Sequence, residues 1–146
     1  MRLWSVDILN FLPDLQFKGQ LREMMLILHQ WRDEGKTNHL LINKVMEYPK
    51  NDFVRYFLWY EICYHDRYGK WLTKQWEEFK NFDDTPFDER SNGCFSGWHN
   101  KEYLRSNMAN LWEKHTMGVG NSRINDEEWQ RIVNGYKQIT GEEYVI

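Results

Sequence analysis

Residues 13–33, PDLQFKGQLREMMLILHQWRD, read as one amphipathic helix. A proline followed by an aspartate suits a helix start, and Gly35 stands just past the other end. Phe17, Leu21, Met24, Leu28 and Trp31 recur at intervals of four, three, four and three, which at ~100° per residue makes one apolar stripe. Glu23 falls roughly a third of a turn off that stripe, with Gln16, Gly19 and Gln20 on its flank and Arg22 turned to the other side. The segment is therefore expected to give a core face with a polar ledge beside it, and Gly19 leaves the ledge uncrowded.

Working outward, His39 to Tyr48 forms a shorter helical stretch closed by Pro49, because the residue before a proline is pushed out of the helical region. Asp52 is expected to cap the next element, in which Phe53, Phe57, Tyr60 and Tyr64 are joined by Val54, Leu58, Trp59 and Ile62. Apolar on nearly every side, it reads as a central buried helix. Gly69 marks a break before Trp71, Leu72, Trp76 and Phe79, and a turn-rich loop with Pro86 and Gly93 spans 81–97. Further helices are expected over Lys101 to His115 and, capped by Asp126 after a glycine-containing loop at 118–121, through Trp129, Ile132, Val133 and Tyr136. Almost nothing alternates in the manner of a strand. The expected fold class is all-α, a single compact domain of about four to six helices with long connecting loops.

With 146 residues the chain is long enough for one core. Eight Trp, eight Tyr and eight Phe mean that large rings supply much of the buried surface. Cys63 and Cys94 form no CxxC pair and the five histidines have no HxxxH or HExxH spacing, so neither a metal site nor a disulfide framework is signalled. No apolar run approaches the roughly 18 to 20 residues of a membrane span, and Met1-Arg2-Leu3-Trp4 does not open a signal peptide, so a cytoplasmic protein without a membrane partner is expected. A formal charge of −3 is the wrong sign for a generic nucleic-acid binder, and any such contact must rest on a local basic patch.

The opening MRLW, the block LPDLQFKGQLRE that ends at Glu23, the segment HLLINKVMEY (39–48), the tripeptide RSN (105–107) and the terminal EYVI resemble, in that order, the pyrimidine-dimer DNA glycosylase family, the endonuclease V type of phages and bacteria. The resemblance is clearest over the first 50 or so residues. It implies a DNA repair glycosylase with abasic-site lyase activity that needs no cofactor and no metal. An unprotonated N-terminal amine attacks C1′ of the damaged nucleotide, the base leaves, and the Schiff base permits β-elimination of the 3′ phosphate, with one carboxylate on the first helix handling protons. Carried onto this chain, the amine is that of Met1 and the carboxylate is Glu23.

Elementary chemistry agrees with the choice of amine. A free α-amine titrates roughly 2.5 units below a lysine ammonium, so on the order of a tenth of it is neutral at pH 7. Positive neighbours such as Arg2 and Arg22 disfavour its protonated form further. Arg2 is too large for the usual aminopeptidase to clear the preceding methionine, whereas the phage type exposes a small residue. Met1 is therefore expected to remain.

The expected partner is double-stranded DNA containing a lesion, a pyrimidine dimer or another modified base, bound by a monomer. Gln16, Gly19 and Gln20 are candidates to admit a flipped nucleotide. Arg2 and Arg22, with Lys18 and Arg32, are candidates for phosphate contacts that orient the duplex. His39 and Asn43, spaced by four on one helix face, are either phosphate or sugar contacts or a structural pair, and Arg105 and Asn107 are either backbone contacts or plain helix residues. Trp4, Trp112 and Tyr136 are candidates for base stacking, with core packing the commoner use of such rings. An alternative from another class is a non-catalytic DNA-binding or DNA-mimic protein that keeps the fold, favoured by the 22 acidic residues.

Overall fold

Pro13, with φ at −59° and no N–H to leave unpaired, opens α1 (Asp14–Asp33). The computed structural model describes residues 2–85 and 94–146. After α1 come α2 (Leu40–Met46), α3 (Lys50–Tyr68), α4 (Thr73–Phe82), α5 (Lys101–Met117) and α6 (Asp126–Thr140), with 3₁₀ turns at Leu9–Phe11 and Gly120–Ser122. No strand occurs among the described residues, and one hydrophobic cluster draws side chains from all six helices, so the fold is all-α and a single domain. Pro86 and Gly93, expected to turn the loop after α4, lie outside the described residues.

Local signals set most of the boundaries. Gly69 ends α3 in the left-handed region at φ 68°, its N–H donating to the His65 carbonyl (2.8 Å), a conformation that costs a side-chain-bearing residue more. Two expected caps fall elsewhere. Pro49 stands at the cap position of α3, so Asp52 sits inside the first turn, where its Oδ2 instead accepts from the Phe95 N–H (3.1 Å). Asn125, rather than Asp126, caps α6, and its side chain with that of Glu128 completes a reciprocal capping box.

The rings do the packing that the composition implied. Phe17 of α1 stacks on Tyr60 of α3 at 4.4 Å, Phe57 of α3 stacks on Phe79 of α4 at 4.3 Å, and Trp112 of α5 meets Trp129 of α6 at 5.1 Å. The α1 stripe differs in detail from expectation: Leu21 and Trp31 are only half-buried, while Gln20 and Ile27 are inside. Nor is α3 buried on every side, because Trp59 and Ile62 remain 50% and 43% exposed.

The feature that positions the site has no periodic signature. Residues 2–8 form an irregular arm whose Leu3, Trp4 and Ser5 are buried among α1, α3 and α5. The arm turns at Leu9–Phe11, where Arg67 of α3 donates to the carbonyls of Leu9, Asn10 and Leu12 and its guanidinium lies 4.1 Å over the Phe17 ring. Phe11 then lies against bare backbone: a Cβ at Gly135 of α6 would come within 2.3 Å of its ring.

Candidate active site

A buried irregular segment has backbone donors and acceptors that no helix or sheet satisfies, and each needs a partner. In this arm side chains supply them. The Arg2 N–H donates to Glu23 Oε2 (3.1 Å), the Trp4 N–H to Gln20 Oε1 (2.7 Å), the Ser5 N–H to Asn107 Oδ1 (2.7 Å) and the Val6 N–H to His99 Nδ1 (3.4 Å). The carbonyls of Arg2, Leu3 and Trp4 accept from Gln20 Nε2 (3.0 Å), the Tyr103 hydroxyl (2.5 Å) and the Tyr56 hydroxyl (2.5 Å). Three helices and the turn before α5 thus hold the arm in one register.

Burial tunes these holders. The His99 imidazole, packed on Tyr103 and Trp98, is pushed from 6.5 down to about 3 by desolvation, so it is neutral. Because its Nδ1 accepts from Val6, the ring proton sits on Nε2. Desolvation likewise pushes the Tyr56 and Tyr103 hydroxyls up, which keeps both as hydrogen-bond donors.

Where the arm meets α1 a cleft of about 260 Å³ opens, lined by Trp4 of the arm, by Gln16, Gly19, Gln20 and Glu23 of α1, and by Lys114 and Ser122. Arg2 lines it too, its guanidinium 4.9 Å from the Trp4 ring centroid. Glu23 is half-buried; its Oε2 takes the Arg2 N–H, with Gln20 Nε2 at 3.5 Å, while Oε1 accepts nothing from the described residues. Arg2 Nη1, a donor, and Gln16 Oε1, an acceptor, are buried without a partner among the described residues. A Cβ on Gly19 would meet only Arg22 Nη2, at 3.9 Å, so this guanidinium folds back toward the ledge instead of turning away from it.

The structure thus brings together Arg2, Gln16, Gly19, Gln20 and Glu23, with Arg22 beside them; Met1 lies outside the described residues. Gln20 and Asn107 need correction as DNA contacts. They are 1% and 2% exposed and their amides hold the arm, which makes them positioning residues. Asn43 is occupied with the backbone of Thr37, accepting from its N–H (3.2 Å) and donating to its carbonyl (2.6 Å), while His39 is exposed at the cap of α2, and neither lines the cleft. Arg105 follows Tyr103 by two residues, roughly 200° round α5, so it faces away from the arm. Arg32 pairs with Asp33 and Glu78, and Lys18 lies over the Tyr68 ring, so neither adds to a basic patch at the cleft. Trp112 and Tyr136 are packing residues.

Lys114 and Ser122 escaped the sequence reading. They lie some ninety residues from α1, and only the packing of α5 beside the arm makes them neighbours of Glu23. Among the described residues no group of three His, Cys, Asp or Glu side chains has the arrangement of a metal site, and no helix is long and apolar enough to cross a membrane. No family model, no curated protein and no solved structure matches the chain.

Proposed function

We propose that the protein is a DNA glycosylase with abasic-site lyase activity, acting in the cytosol as a monomer on duplex DNA that carries a pyrimidine dimer or another modified pyrimidine. The observation that carries the reading is the Arg2 N–H on the Glu23 carboxylate, 3.1 Å away, at the edge of an open cleft. The α-amine of Met1 is three covalent bonds from that nitrogen, a path of at most about 4.3 Å, and this bound on its distance supports the pairing of amine and carboxylate.

In this scheme the neutral amine attacks C1′ as the glycosidic bond breaks and the base leaves with the bonding pair. Glu23 Oε1 takes the proton released by the amine and gives it to O4′ as the sugar ring opens to the iminium. The carboxylate, ionised again, takes a C2′ proton as the 3′ phosphate leaves with its C–O bonding pair, and water hydrolyses the imine to release the amine. Arg2, Arg22 and Lys114 supply the local positive surface that a net charge of −3 does not. The unpartnered Arg2 Nη1 and Gln16 Oε1 are a donor and an acceptor for a nucleotide in the cleft.

The test is chemical capture. Protein that begins with an unmodified Met1, incubated with an abasic duplex and borohydride, should give a covalent adduct that peptide mapping places on the Met1 nitrogen, and a version extended at its N-terminus should give none. Glu23→Gln keeps an acceptor for the Arg2 N–H but no base, so capture should slow by about 10²–10⁴-fold. Capture on a lysine side chain, or on nothing, would end the reading.

A further inference from the structure

Beyond Lys114 the chain leaves α5 through a tight loop whose backbone is held closely. A Cβ at Gly118 would stand 2.3 Å from the Lys114 carbonyl oxygen and 2.9 Å from Arg123 Cα, so only glycine allows the chain to fold back there. The Ile124 N–H donates to that same carbonyl (3.2 Å), the Arg123 N–H to the Gly120 carbonyl (3.3 Å) and the Ser122 hydroxyl to the Val119 carbonyl (2.7 Å). On either side of Gly118, Met117 and Val119 are 75% and 80% exposed. Met117 and Gly118, with Asn110 and Glu113, line a second cavity, of about 330 Å³, that shares Arg2, Lys114 and Ser122 with the cleft beside Glu23.

Met117, at the end of α5, is thus displayed on a cavity lined by two cationic side chains, Arg2 and Lys114, and one acidic one, Glu113, with Val119 exposed two residues further on. Burial of exposed apolar side chains in a partner is favourable, and two cations against the single carboxylate of Glu113 leave the cavity beside Met117 with a positive balance that suits an anionic group. Duplex DNA has this alternation, a phosphate backbone around an apolar base stack. Proteins that open the stack commonly insert an aliphatic or Met side chain at a base step, which offsets the few kcal/mol that unstacking costs. Methionine suits the task, being unbranched and making favourable sulfur contacts with rings.

We infer that Met117, backed by Val119, is a wedge that enters the base stack next to the nucleotide held in the cleft and fills the space it leaves. The inference rests on the glycosylase reading and adds to it the element that opens the duplex.

The experiment compares abasic-site capture on duplex and on single-stranded oligonucleotides by the wild type, the double variant Met117→Ser with Val119→Ser, and Met117→Leu. A wedge matters only where there is a stack to open. The double variant should therefore lose about tenfold or more on the duplex and stay within about twofold on the single strand, while Met117→Leu keeps most of the duplex rate. Both positions are exposed, so the unfolding midpoint should not move and a fold defect would be recognised by its shift. Equal rates for variant and wild type on both substrates, or equal losses on both, would overturn the wedge and leave the glycosylase reading standing. Loss of a dimer in sedimentation, with capture unchanged, would overturn it in favour of self-association. Failure of the wild type to capture either substrate would remove the glycosylase reading and the wedge together.

Discussion

On the wall of the cleft made by the arm and α1, Leu3, Trp4, Ser5 and Gln20 are nearly inaccessible, and the backbone of the arm is bonded by Glu23, Gln20, Asn107 and His99. At the end of α5 and in the following loop, Lys114 lines the same cleft half-buried, Met117 lines the adjoining cavity, and Met117 and Val119 stand in solvent. The first region uses the amides of Gln20 and Asn107 and one oxygen of Glu23 on the arm itself, and the second leaves Lys114, Met117 and Val119 to whatever enters. A reacting group must be held with little freedom, whereas a surface that meets a deformable polymer gains nothing from being tied down beforehand. Substitutions in the first region should accordingly be read in stability, and those in the second in activity toward the duplex alone.

The contrast is broken most severely at Gln20. Gln20→Leu leaves the Trp4 N–H and the Arg2 carbonyl without their partners in a buried setting, which should cost about 2–4 kcal/mol in urea unfolding. A cost near zero would mean that the arm is not held as described. With the arm loosened, capture should fall even in the fraction that remains folded.

An effect of comparable size, spread over several pH units, should appear in acid. The unfolded chain protonates His99 at about its ordinary 6.5, while burial holds the folded group near 3, so between these values the unfolded state binds more protons and stability falls as the pH drops. The limb contributes up to about 1.4 kcal/mol per pH unit, and above pH 6.5 it is flat. Urea midpoints measured from pH 7 to 4 should show this slope in the wild type and a shallower one in His99→Gln; identical slopes would assign the acid sensitivity to other groups.

The smallest effect sharpens the description of the ledge. Gly19 lies inside α1 and its Cβ position is open except for Arg22 at 3.9 Å, so Gly19→Ala should stabilise the fold by about 0.5–1 kcal/mol through helix propensity. Destabilisation in thermal melts would show that the ledge is more crowded than its geometry indicates.

How much of this was legible depends on the range of each signal. Pro13, Pro49 and Gly69 act on their immediate neighbours, so α1 begins, α2 closes before Pro49 and α3 ends where local chemistry requires. The ledge of Gln16, Gly19, Gln20 and Glu23 was legible for the same reason, since a helix of known period puts them on one side. The start of α3 lies three residues before the expected cap Asp52, because Pro49 sets the cap position by its fixed backbone with no side-chain hydrogen bond, and the cap of α6 shifts by one because Asn125, next to Asp126, accepts in the same way.

The sequence by itself determined an all-helical chain with large aromatic side chains for its core and a carboxylate, an amide and a glycine exposed to one another on the first helix, because those properties follow from spacings of three and four residues. Tertiary structure alone decided that Gln20 turns inward, that Asn107 reaches Ser5 across 102 positions and that Lys114 lines the same cleft as Glu23. The reason is that the arm has no period of its own: its place is chosen by which side chains of the packed helices satisfy its backbone, and that choice exists only after the helices have met.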